Sequence, residues 1–170
     1  MRADIAANQR RAFRELLAAL RPRWRSDAAL PERLEAELRA RRRFGARDRR
    51  LYRDLFYAVL RHLPWIEPWI DPAPDFADEA VAWLAAETPA TAEYRRALAG
   101  GWPVCPVSAL ARGRVLEDIA AARLGTPAPL PGLLPAWAAR ECPAALEPDQ
   151  YDALHRRAPL WIRLQTDDPE

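Results

Sequence analysis

Between Arg50 and Pro64 the apolar residues Leu51, Tyr52, Leu55, Phe56, Val59, Leu60 and Leu63 recur three or four positions apart. That period puts all seven on one broad face of an α-helix, and it excludes a strand, whose faces alternate every second residue. So wide an apolar face has to be covered, so the segment predicts a central core helix with other helices laid against it. Pro64 predicts its end, because proline lacks the backbone N–H and clashes with the preceding turn.

The flanking sequence supplies those neighbours. Phe13, Leu16, Leu17 and Leu20 mark a first helix ended by Pro22. Leu30, Leu34 and Leu38 mark a second, with Pro31 suited to its first turn. Gly45 predicts a left-handed cap before the third helix. Beyond Pro64, "PWIEPWIDPAPD" reads as a connector whose Trp65, Ile66, Trp69 and Ile70 pack onto the bundle. A fourth helix carries Phe76, Ala80, Trp83, Leu84 and Glu87 on one face and breaks at Thr88-Pro89. A fifth spans about 90–98, and a sixth, with Val115, Leu116, Ile119 and Ala120, closes at Gly125.

"TPAPLPGLLP" then places four prolines in ten residues, which marks a boundary. Residues 1–125 therefore read as one helical domain, and 126–170 as a linker with the start of another. Short helical pieces follow near 135–141 and 148–157. In "PLWIRLQT" Leu160, Ile162 and Leu164 alternate with Trp161, Arg163 and Gln165, a strand pattern. A lone strand cannot satisfy its backbone groups, so this one predicts a sheet begun outside these residues. The expected fold class is all-α: a helical bundle, a short helical extension and one C-terminal β-strand.

Signals for catalysis are missing from the 170 residues. There is no Gly-rich phosphate loop, no G-x-S-x-G and no H-E-x-x-H. Cys105 and Cys142 make no C-x-x-C or zinc spacing, and each reads as a small buried apolar residue. His155 reads as a surface or helix-end residue. His62, at the end of the core helix, reads as a cation suited to the carbonyl end. The tryptophans read as packing. No catalytic residue, metal site or cofactor is predicted. No apolar run approaches the roughly 18 residues of a membrane helix, and a cytoplasmic protein is expected.

Charge carries more. All 26 basic residues are arginine. Residues 1–62 hold 17 arginines against 8 acids, while residues 63–170 hold 9 against 16. A basic half joined to an acidic half suggests a polyanionic partner for the first. The charge peaks in "RRRFGARDRR", residues 41–50, where six of ten are arginine. Helix electrostatics covers part of this: Arg41, Arg42 and Arg43 suit a helix C-terminus and Asp48 suits an N-terminus. It does not cover Arg47, Arg49 and Arg50, which crowd the positive end of the third helix unless an anion arrives. Free N–H groups beside arginines suit a phosphate.

The stretch "RRFGARDRRLYRDLFYAVLRH", residues 42–62, resembles the core motif of the NusB-like domain of bacterial rRNA cytosine-5 methyltransferases of the RsmB (Sun/Fmu) group. The match runs through Phe44, Gly45, Arg47, Asp48 and Arg49, then Tyr57, Val59, Leu60 and Arg61, with Ala46 where serine is usual. "LPAWAARE" and "LHRRAPLWIRLQT", residues 134–141 and 154–166, are similar to two further segments of the same family, with Gln165 in place of asparagine. The resemblance covers nearly the whole chain but only the first part of the family protein, and implies a NusB-like RNA-binding bundle truncated before the catalytic domain. S-adenosylmethionine is implied for that missing domain alone. The implied partners are RNA, chiefly rRNA, and the methyltransferase domain or an equivalent. Arg10, Arg11, Arg42, Arg43, Arg47, Arg49 and Arg50 are the candidate RNA contacts. Phe44, Gly45 and Asp48 form a structural corner, with Gly45 shaping the turn and Asp48 orienting arginines or capping the helix. A stand-alone antitermination module and a helical protein-interaction domain are the alternative readings.

Overall fold

The computed structural model describes residues 3–125 and 129–155. All regular structure among them is helical. The α-helices are α1 (Ala3–Leu20), α2 (Leu30–Ala40), α3 (Ala46–Arg61), α4 (Leu63–Ile66), α5 (Pro74–Leu84), α6 (Ala92–Ala99), α7 (Ala109–Leu124), α8 (Ala138–Glu141) and α9 (Pro148–Leu154). The strand expected over 160–164 lies outside the described residues.

Packing follows the apolar stripes. Phe13, Leu16 and Leu20 of α1 meet Leu34 and Leu38 of α2 and Leu51, Leu55, Phe56 and Val59 of α3 in one core, all nearly inaccessible to water. The expected central helix is α3, yet α5 is enclosed more completely: eight of its eleven residues are buried against six of sixteen in α3. Its Ala77, Ala80 and Ala82 let neighbouring helices come close on several sides. Helix α6 folds back against α5, with α3 packed on α5 and α1 on α6.

Proline punctuates this fold mainly by opening helices. Pro31, Pro64, Pro74 and Pro148 each sit in the first turn of an α-helix, where the missing N–H costs nothing. Pro64 therefore does not end the core helix. Helix α3 stops at Arg61, His62 leaves helical geometry, and Pro64 starts α4. The fourth predicted helix also ends early, at Leu84, so Glu87 belongs to the following loop. Gly125 closes α7 as expected, and does so in the left-handed conformation with φ 69°. The sequence predicts the left-handed cap at Gly45 instead, but its φ of −70° and ψ of 173° are extended, and it serves as the N-cap of α3.

Residues 129–155 pack back onto the helices before them. Trp65 Nε1 donates to the carbonyl of Pro131 at 2.8 Å, and the Leu130 N–H donates to Glu117 at 2.6 Å. Asp152 accepts the Ala109 N–H at 2.6 Å, capping α7 from α9.

Both histidines stand at helix ends, as the C-caps of α3 and α9, but both are buried, so His155 is not a surface group and His62 is not the expected cation. His62 Nδ1 donates to the Ala58 carbonyl at 2.9 Å, so its Nε2 is left as acceptor for Arg112 at 3.0 Å. Burial pushes His62 down to about 3 and lowers His155 as well. The cysteines depart from expectation too: Cys105 is half-buried and Cys142 is exposed. Short loops around 105 and 142 leave neither thiol a core position.

Candidate nucleic-acid interface

The α2–α3 corner is built by a turn of five residues. Arg41 ends α2, the Phe44 N–H donates to the Arg41 carbonyl at 2.9 Å, and Gly45 opens α3. Phe44 is the anchor. It is buried and packs against Tyr52 with ring centroids 4.6 Å apart. Burial holds the Tyr52 hydroxyl protonated, its pKa pushed up to about 12. Because Phe44 points in, its neighbours Arg42, Arg43, Ala46 and Arg47 are left exposed.

The arginines of the corner fall into three kinds. Arg42 and Arg50 are exposed and have no carboxylate within ion-pair distance among the described residues. Arg43 and Arg47 pair with Glu15 at 2.8 Å and Glu93 at 3.2 Å, but every partner is well exposed. Such pairs contribute about 0–1 kcal/mol and exchange readily for another anion. Arg49 is half-buried, and its Nε is enclosed without a hydrogen-bond partner.

Gly45 brings no side-chain oxygen to the first turn of α3, so that turn has no side-chain cap. Asp48 supplies the negative charge there, but among the described residues it neither caps the helix nor holds an arginine. It accepts a hydrogen bond from Gln9 Nε2 of α1 at 3.2 Å, tying the two helices together.

Two depressions flank the corner. A groove of about 810 Å³ runs between α3 and the loop after α5, with Arg47, Arg50, Arg53 and Asp54 on one wall and Glu87, Thr88 and Pro89 on the other. Its acids are engaged: Glu87 pairs with Arg95 at 2.7 Å and Asp54 accepts from Thr88 at 3.1 Å. Arg53 makes a two-point pair with Glu35 at 2.6 and 2.8 Å, which holds the Glu35 carboxyl below its ordinary range. A second hollow, of about 340 Å³, lies between α1 and the corner.

Not every predicted contact reaches this face. Arg11 borders the second hollow, where it donates to Asn8 Oδ1 at 3.0 Å. Arg10 turns instead to α5, reaching Asp75 at 3.3 Å and Asp78 at 3.7 Å. Arg14 joins it, donating to Asp75 and to the buried Asp78 at 2.6 Å each. Arg21 pairs with Asp71 and Arg25 with Glu67. Carboxylates of the acidic half thus fold onto arginines of α1 and the turn after it, while Arg42 and Arg50 at the corner stay exposed.

Sequence reasoning missed Gln9 and Arg53. Gln9 was findable: it lies four residues before Phe13 on the core face of α1, where a polar side chain needs a partner. Arg53, three residues after Arg50, shares the exposed flank of α3. Among the described residues no three His, Cys, Asp or Glu side chains are grouped so as to hold a metal ion, and no helix is long and apolar enough to cross a membrane. Compared with known proteins, the chain matches no family model, no curated protein and no solved structure.

Proposed function

We propose that the α2–α3 corner binds the phosphate backbone of RNA, and that the chain is the non-catalytic, NusB-like RNA-binding part of a system methylating rRNA cytosine. The observation that carries the binding reading is the pair Arg42 and Arg50: exposed guanidinium groups without carboxylate partners beside the uncapped first turn of α3. Guanidinium forks and helix N–H groups are both good phosphate donors. Arg43, Arg47 and Arg53 lie close enough in sequence and along the two depressions to extend that track. The methyltransferase association rests on the motif resemblance at 42–62, 134–141 and 154–166. In this reading S-adenosylmethionine is held by a catalytic domain outside these 170 residues. Titration of a labelled rRNA fragment tests the binding: the protein as it stands binds it, and Arg42→Glu with Arg50→Glu does not.

One feature favours a protein-docking module as a second reading. Val104 is 92% exposed and Val107 73%, with Leu110 nearby on the first turn of α7. Apolar side chains so placed mark a contact surface, and the partner methyltransferase domain would suit it. A pull-down with that domain, lost on Val104→Asp with Val107→Asp, tests it.

A further inference from the structure

The hollow between α1 and the corner has a chemistry that phosphate binding does not use. Its floor is set by the buried rings of Phe44 and Tyr52, of which only small parts reach the surface. The Arg43 guanidinium lies over the Phe44 ring, 5.6 Å from its centroid, and presents a flat cationic surface at one side. Ile5, 45% exposed, is an uncovered apolar residue at the rim. At about 340 Å³ the hollow falls at the lower end of small-ligand sites, which run from about 300 Å³.

Its polar groups are few and directional. Asp48 spends one carboxylate oxygen on Gln9, and its second oxygen has no hydrogen bond among the described residues. Asn8 accepts from Arg11 through its carbonyl oxygen, leaving the amide N–H₂ to donate. An ionised carboxylate only accepts, so it selects a partner edge bearing donors. Flat apolar surface, a guanidinium plane and an acceptor beside a donor are the means by which proteins hold splayed-out bases of single-stranded RNA.

We propose that this hollow takes one unpaired nucleotide of the bound RNA, with a base that carries an exocyclic amino group. The base lies against Ile5 and the Arg43 plane that covers Phe44, its amino group donates to Asp48, and Arg11 meets a flanking phosphate. The proposal rests on the RNA-binding reading and adds to it single-strandedness and a preference for cytosine, adenine or guanine over uracil. A base already paired in a duplex cannot turn its amino edge into the hollow.

The test compares oligo(C), oligo(U) of equal length and a duplex of the same length, titrated against the full chain at one salt concentration. Oligo(C) is expected to bind about tenfold tighter than oligo(U), a difference of about 1.4 kcal/mol, and tighter than the duplex. Asn8→Trp and Ile5→Trp, two independent changes at exposed positions, fill the mouth and are expected to abolish that preference without moving the melting temperature. Equal affinity for the three RNAs, unchanged in both variants, overturns the hollow and leaves the phosphate reading standing. No binding to any of the three overturns both.

Discussion

Arg112 of α7 donates to His62 Nε2 at 3.0 Å inside the protein, joining the end of α3 to a helix fifty residues later. Only a neutral imidazole can accept that bond. Burial disfavours the charged imidazolium, and the Arg112 cation beside it adds to that, which is why the pKa of His62 falls to about 3.

Acid should therefore destabilise the fold earlier than carboxylate titration alone would. An unfolded histidine takes a proton near pH 6.5, whereas folded His62 does not until about 3. Between those values the unfolded state binds the extra proton, so stability is complete above pH 6.5 and falls as pH drops, by up to about 1.4 kcal/mol per unit. Burial of His155 acts in the same direction. Thermal melts from pH 7 to pH 5 check this. His62→Gln should flatten the slope, and an equal slope in that variant contradicts the assignment.

Core and cap make separate, graded predictions. Leu55 is fully buried in α3, and Leu55→Ala should cost about 2–5 kcal/mol in denaturant unfolding. Gly125→Ala should cost about 1–2 kcal/mol, because φ of 69° strains any residue with a Cβ, although nothing crowds the site. A neutral Gly125→Ala would mean that α7 ends in another conformation.

Arg49 and Arg50 are neighbours that should behave differently. Arg50 is exposed, so Arg50→Glu should leave the melting temperature within the small range of surface changes, about 0.5 kcal/mol. The Arg49 Nε is enclosed, and a carboxylate in its place would lie partly desolvated next to Asp48. Arg49→Glu should therefore destabilise the protein by about 1–3 kcal/mol. Differential scanning calorimetry of the two single variants separates them. A charge reversal meant to probe RNA binding alone belongs at Arg42 and Arg50.

The helices with one apolar stripe were legible in the sequence: α1, α2 and α3 follow their spacing closely, whereas α7 was legible in extent but also buries Arg112 and Gly113 and leaves Val115 and Ile119 half-buried. Helix α5 was legible as a helix but not as the most enclosed one, because small alanines carry little periodic signal while allowing close approach. Proline fixes φ and forbids a donor, which serves an end or a beginning equally, so Pro64 could not be told from Pro31 by chemistry alone. The charge split between the two halves is partly internal, for a different reason. Linear sequence does not show that Asp71, Asp75 and Asp78 fold onto Arg10, Arg14 and Arg21. The corner remained because Phe44 is driven inward and its arginines outward. The hollow beside it depends on α1 crossing that corner, a relation between distant segments.

The most direct measurement is the salt dependence of RNA affinity, wild type against Arg42→Glu with Arg50→Glu. Phosphate contacts release counterions, so log affinity should fall linearly with log salt, with a slope of about −0.7 per phosphate on a single strand. With three or four contacts the expected slope is about −2 to −3, and the double variant should lose affinity and at least two contacts' worth of slope. An affinity indifferent to salt, or a double variant with the wild-type slope, would contradict the claim that these arginines meet an RNA backbone.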